Sequence, residues 1–166
     1  METLSIALGV LIGCFFALSW FAGTDAPYVP TKGSKVRQGL NLAGLKKGET
    51  FYELGSGDGR VVFAAAKMGA KSYGIEQSIL RVLYSKFIAR KKGLKNAHFI
   101  HGNIFKKDLS SANVVFIYLL PKGVQKLHPK LKKELKKGSR VITQDYHFKE
   151  WKPIKKEGNF WLYKQV

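Results

Sequence analysis

Directly behind the apolar run Thr50–Leu54 the chain reads "GSGDGR", three glycines in five positions. Glycine reaches backbone conformations that other residues avoid, at a cost in chain entropy. So dense a cluster marks a sharp turn whose backbone must lie close to something else. The run before it has the length and character of a buried strand. The segment after it, "RVVFAAAKMG", reads as a helix stopped by Gly69. Strand, glycine turn and helix in that order open an α/β domain, whose ligands lie at the carboxyl ends of parallel strands.

The alternation continues along the chain. "KVRQGLNLAGL" spaces Val36, Leu40, Ala43 and Leu45 as a helix would, ahead of the first strand. A second strand is expected at Lys71–Glu76, then an amphipathic helix, "SILRVLYSKFIARKKG", ending at Gly93. "NAHFIHG" reads as a third strand and "NVVFIYLL" as a fourth, whose unbroken apolar character suits the sheet centre. "VQKLHPKLKKELKKG" is helical, broken or started by Pro129, and ends at Gly138; "SRVITQD" is a fifth strand. The last fifteen residues read as a hairpin turning at residues 157–159. The expected fold is α/β: a Rossmann-like, mostly parallel sheet with helices on both faces and a C-terminal antiparallel hairpin, preceded by one transmembrane helix.

That last element comes from residues 4–22, "LSIALGVLIGCFFALSWFA", which carry no charge. Nineteen residues at about 1.5 Å each approach the roughly 30 Å of a bilayer core. "METLS" has no basic residue for a signal-peptide n-region, so an uncleaved anchor is expected. Lys32, Lys35 and Arg37 follow the segment, and the positive-inside rule then places the rest of the chain in the cytoplasm. The expected division is an anchor over residues 1–23, a Pro- and Gly-containing linker over 24–34, and a globular domain over 35–166.

Net charge is +18, from twenty-nine basic and eleven acidic residues. Such an excess suits a polyanionic neighbour: an anionic membrane surface, an acidic protein or nucleic acid. Only Arg37, Arg60, Arg81, Arg90 and Arg140 are arginines. Phosphate and base recognition lean on arginine forks, so lysine dominance weighs against nucleic acid and equally fits a merely solvating surface. Cys14 is the single cysteine, which excludes an intramolecular disulfide. The four histidines lack a second cluster of metal-ligand type, and no metal is expected.

The ligand of the glycine turn can be narrowed from its neighbours. A phosphate loop ends Gly-Lys-Ser/Thr, whereas this turn ends Gly59-Arg60-Val61. The dinucleotide fingerprint needs a third glycine at position 60, which is arginine. Instead Glu53 stands two residues before Gly55, and Glu76 closes the second strand, where an acid accepts hydrogen bonds from ribose hydroxyls.

In these residues the chain resembles the class I S-adenosylmethionine-dependent methyltransferases. "YELGSGDGR" matches their first motif and "GIEQS" their second. "PYVPT", "YLLP", "HPKLKKELKKGSRV" and "DYHFKEW" occur in an order similar to that of small membrane-associated bacterial methyltransferases. Those in turn resemble the mitochondrial lysine methyltransferases of the ATP synthase c-subunit and the adenine nucleotide translocase. The resemblance implies S-adenosyl-L-methionine as cofactor. It assigns Glu53 to the loop and the methionine amino group, and Gly55, Ser56, Gly57, Asp58 and Gly59 to the loop that lines the cofactor. Glu76 would bind the ribose hydroxyls and Asn103 the adenine amino group, with Ile75 and Ile104 about the ring or simply in the core. Tyr118, Leu119, Leu120 and Pro121 would form a partly apolar acceptor slot. Tyr28 and Thr31 would fold over the cofactor or the target channel; packing alone is the alternative for Tyr28 and Tyr118.

The function so implied is methyl transfer from an anchored enzyme to lysine of a membrane-associated protein. RNA methylation, lipid or quinone methylation, and a non-catalytic basic module that binds membrane or ribosome stand as alternatives.

Overall fold

The computed structural model describes residues 2–21 and 30–166. Twelve elements follow in the order α1 (Glu2–Phe21), α2 (Gly33–Leu42), β1 (Thr50–Leu54), α3 (Arg60–Lys67), β2 (Lys71–Glu76), α4 (Ile79–Lys91), β3 (Ala97–His101), β4 (Val114–Ile117), α5 (Pro121–Glu134), β5 (Arg140–Gln144), β6 (Lys155–Glu157) and β7 (Phe160–Lys164). Seven strands form one sheet in the order β3-β2-β1-β4-β5-β7-β6. The first five run parallel, and β7 pairs antiparallel with both β5 and β6. The chain leaves β1 toward β2 on one side and returns to β4 on the other. A crevice therefore opens at the carboxyl ends of β1 and β4.

Side-chain alternation decides which face each strand residue serves. Tyr52, Leu54, Val115, Ile117 and Val141 point to one face and bury Val124, Leu127 and Leu131 of α5. Phe51, Val114, Phe116 and Ile142 point to the other, against Val36 and Leu40 of α2 and Val61 and Ala65 of α3. Both faces are covered, so the central strands are apolar on both sides, as their sequence anticipates.

Three elements depart from the sequence expectations. The helix after β4 begins at Pro121, not at residue 124, and runs through Pro129 to Glu134, short of Gly138. Proline lacks only an N–H that the first helical turn leaves unbonded anyway, so Pro121 is suited to the start of α5. In α4 the face turned inward is Arg81, Val82, Ser85 and Ala89. Ile79, Leu83 and Phe87 point outward, 49%, 55% and 61% exposed, so the helix is not amphipathic toward the sheet as expected.

The third departure is the membrane span. Among the described residues no helix is long and apolar enough to cross a membrane. The expected transmembrane anchor, its orientation and a single-pass membrane location therefore do not stand. α1 begins at Glu2 and lies in contact with α4.

Gly39 of α2 marks how closely that helix rides on the sheet. A Cβ there would come 2.9 Å from the Phe116 ring and 3.0 Å from the Phe160 ring, both fully buried. Gly39→Ala is expected to destabilise the fold by about 1–3 kcal/mol through overpacking. A lower denaturant midpoint with an unchanged slope would register it, and an unchanged midpoint would show that α2 can lift without cost.

Candidate active site

The glycine turn is tied to the end of β2 by consecutive hydrogen bonds. Gly55 and Ser56 N–H both donate to the Ile75 carbonyl, at 2.9 and 3.0 Å. Gly57 N–H donates to Glu76 Oε2 at 2.9 Å. Gly55, Gly57 and Gly59 all take positive φ, at 83°, 52° and 81°. What demands glycine at 59 is the protein itself: a Cβ would approach the Phe99 ring to 2.6 Å. Gly55 faces the fourth strand's exit, where a Cβ would lie 3.2 Å from Leu119 Cδ2.

Behind the turn the first N–H groups of α3 are taken by acids. Glu53 accepts from Val62 N–H, and Asp58 Oδ1 accepts from Arg60 N–H at 3.2 Å. A helix start ordinarily offers such donors to a phosphate. Here carboxylates already hold two of them, which disfavours an anionic ligand at this point and favours a cationic one. Asp58 is also gripped by the Arg60 guanidinium at 2.6 Å, and Glu76 lies 3.5 Å from Arg81 Nη1.

Glu53 differs from those two acids. Its Oε2 is buried with no hydrogen-bond partner among the described residues. Burial, then the neighbouring Asp58 and Glu76 carboxylates, push its pKa well above the usual carboxylate range against the Val62 hydrogen bond and the Arg60 charge. An unsatisfied buried carboxyl oxygen beside a glycine turn has the chemistry to receive an ammonium group. That is an independent fit to the amino end of S-adenosylmethionine.

The other expected residues are distributed as follows. Glu76 is buried, its Oε1 accepting from Ser78 N–H at 2.9 Å, so both oxygens are oriented by backbone. Asn103 is exposed beyond β3, with its Oδ1 accepting from Phe105 N–H at 2.8 Å. Ile75 and Ile104 are both buried in the core on the α5 face. Tyr118 and Leu119 are partly buried past the end of β4, whereas Leu120 is 40% exposed and Pro121 opens α5. Thr31 is buried; its hydroxyl donates to Gln144 Oε1 at 3.2 Å, and its carbonyl accepts from Arg60 Nη1 at 3.1 Å. It bridges β5 and α3 across the crevice. Tyr28 lies outside the described residues.

Sequence reasoning passes over four residues of this region. Arg60 and Arg81 read in the sequence only as charge, although each follows a motif acid by two and five positions and partners it. Gln144 ends β5 and Asp145 follows it. Burial, followed by the nearby Asp145 carboxylate, pushes the Tyr118 phenol's pKa up to about 12. No local pattern announces this pair, since the two residues follow different strands.

The chain is similar to known methyltransferases. The family model described as the ANTKMT methyltransferase domain matches residues 53–155. A protein-lysine N-methyltransferase of Saccharolobus islandicus (strain REY15A) is 38% identical over 130 residues, covering 76% of this chain and 81% of that protein. The lysine N-methyltransferase of the ATP synthase c-subunit from Xenopus laevis is 34% identical over 128 residues; the match covers 76% of this chain but 56% of that longer protein. A crystal structure of an RNA methyltransferase from Salinibacter ruber, in complex with S-adenosyl-L-homocysteine, superposes with a TM-score of 0.78 at 35% identity, covering 82% of this chain and 92% of that one.

The buried Glu53 makes stability a function of pH in the ligand-free protein. A carboxyl whose folded pKa is raised stabilises the fold relative to high pH while it stays protonated. That contribution is lost as pH climbs from its unfolded value, 4.5, through the raised one. Glu53→Gln is neutral throughout, so it is expected to flatten this decline. Denaturant unfolding of both proteins between about pH 5 and pH 8 reads the difference, and parallel curves would refute an ionising Glu53.

Proposed function

The chain belongs to the ANTKMT methyltransferase domain family, and on that premise we propose that it methylates lysine side chains of a protein. S-adenosyl-L-methionine is the methyl donor; when bound, it supplies an electrophilic methyl group on a sulfonium sulfur. The observation that carries the reading is the unpartnered buried oxygen of Glu53 beside a glycine turn whose helix donors are already held by acids.

In this reading Glu53 holds the cofactor's amino group, and the backbone of Gly55 to Gly59 passes along its methionine and ribose portions. Glu76 already accepts one backbone N–H on each oxygen and has a lone pair left on each for the ribose hydroxyls. Asn103 lies beside the adenine, while Ile75 and Ile104 serve the core. Tyr118, Leu119 and Leu120 form the acceptor slot, a partly apolar wall for the alkyl chain of the lysine. Thr31 straps the segment before α2 over the crevice.

A membrane-associated protein is the finer assignment for the acceptor. It is supported by the relatives named as lysine methyltransferases of the ATP synthase c-subunit and of the adenine nucleotide translocase. A net charge of +18, which favours an anionic surface, supports it too. The chain spans a little over half the length of those vertebrate relatives. RNA is the second acceptor class, favoured by the name of the Salinibacter ruber structure and by the same charge.

Incubation with methyl-labelled cofactor and separate membrane-protein, soluble-protein, RNA and lipid fractions decides among them. Label on lysine of protein is expected; label in RNA alone would replace this reading with the second. Glu76→Ala should weaken cofactor binding at least tenfold in calorimetry, because a charge-assisted hydrogen bond contributes about 1.5–3 kcal/mol. Unchanged affinity would remove Glu76 from the site.

A further inference from the structure

Among the described residues Asp145 is the one non-glycine residue with positive φ, 63°. Aspartate tolerates this left-handed conformation better than most side chains, but it persists only where surrounding contacts hold it. Here the turn between β6 and β7 supplies them. Asp145 N–H donates to the Asn159 carbonyl at 2.8 Å, and Asn159 Nδ2 donates to Asp145 Oδ1 at 2.7 Å. The same carboxylate stands near enough to the Tyr118 phenol to help raise its pKa.

Position gives this arrangement its interest. Tyr118 is the first residue past β4 and Asp145 the first past β5, on adjacent parallel strands. Both stand at the carboxyl edge, on the far side of the crevice from Glu53 and Glu76. Leu119, next to Tyr118, already reaches toward Gly55 of the cofactor turn. Asp145 is partly exposed, and its neighbour Tyr146 is 38% exposed. A carboxylate held in place at the crevice edge suits an alkylammonium, through a charge-assisted hydrogen bond. It does not suit a phosphate-bearing strand, which the carboxylate would repel.

We propose that Asp145, held in place by Asn159, is the carboxylate that receives the ammonium group of the acceptor side chain. The assignment rests on the methyltransferase reading above and narrows its acceptor to a cationic alkylamine. Tyr118 then walls the slot, and the hairpin turn becomes part of acceptor recognition although it is remote from both sequence motifs.

The test is binding, independent of turnover. The full chain is first titrated with S-adenosyl-L-homocysteine by calorimetry; absence of binding would overturn the methyltransferase reading, and this proposal with it. The saturated protein is then titrated with n-butylammonium chloride, a minimal lysine side chain, and with n-butanol as its uncharged counterpart, while backbone amide shifts are followed by NMR. Saturable shifts at Asp145 and Tyr118 are expected for the ammonium and not for the alcohol. Asp145→Asn keeps the left-handed backbone and the Asn159 contact. It should weaken the ammonium at least tenfold and leave the affinity for S-adenosyl-L-homocysteine intact. Tyr118→Phe, which leaves the carboxylate in place, should weaken the ammonium about threefold and serves if the first variant does not fold. No saturable ammonium binding by the unaltered chain, or equal binding by the variants, would overturn the proposal.

Discussion

Three successive N–H groups, from Gly55, Ser56 and Gly57, end on two successive residues of β2, Ile75 and Glu76. This seam holds the first turn of the sheet against its second strand, and the rest of the crevice takes its shape from it. It fixes the positive-φ glycines, aims α3 so that Val62 reaches Glu53, and orients the Glu76 carboxylate. Glu76 is thus a structural acceptor before it is a ligand for anything else. One hydrogen bond thereby ties the glycine turn to an acid nineteen residues later.

Charge in this molecule is divided by location. A chain with twenty-nine basic and eleven acidic residues nevertheless gathers Glu53, Asp58 and Glu76 around one turn. Arg60 and Arg81 balance two of them, leaving Glu53 to be neutralised by a proton or by a bound cation. The crevice therefore gathers acids within a body of net positive charge. A dinucleotide site on the same fold would have the opposite bias, with free helix donors waiting for pyrophosphate.

Much of this was legible in the sequence because it is local. The glycine turn, the acid at the end of β2, the order of strands and helices and the closing hairpin each depend on a few adjacent residues. Where tertiary contacts decide, the sequence was a poorer guide. In α4 the polar Arg81 and Ser85 face inward because Glu76 and the glycine turn lie beneath them, while Ile79, Leu83 and Phe87 are left outside. The uncharged stretch of α1 has the local signature of a span, yet its contact with α4 comes from residues more than fifty positions away. Asp145 carries no motif at all, because its conformation is set by Asn159, fourteen residues later.

The sheet ends in β6, which is only Lys155, Lys156 and Glu157, all three exposed. An outermost strand presents unpaired backbone donors and acceptors, and a long apolar one would recruit a strand from another molecule. Here like-charged lysines on adjacent positions repel a second copy of themselves, and three residues give an incoming strand little to hold. The hairpin that carries Asn159 to Asp145 therefore also ends the sheet, on that side, in a strand too short and too polar to make a good template for another.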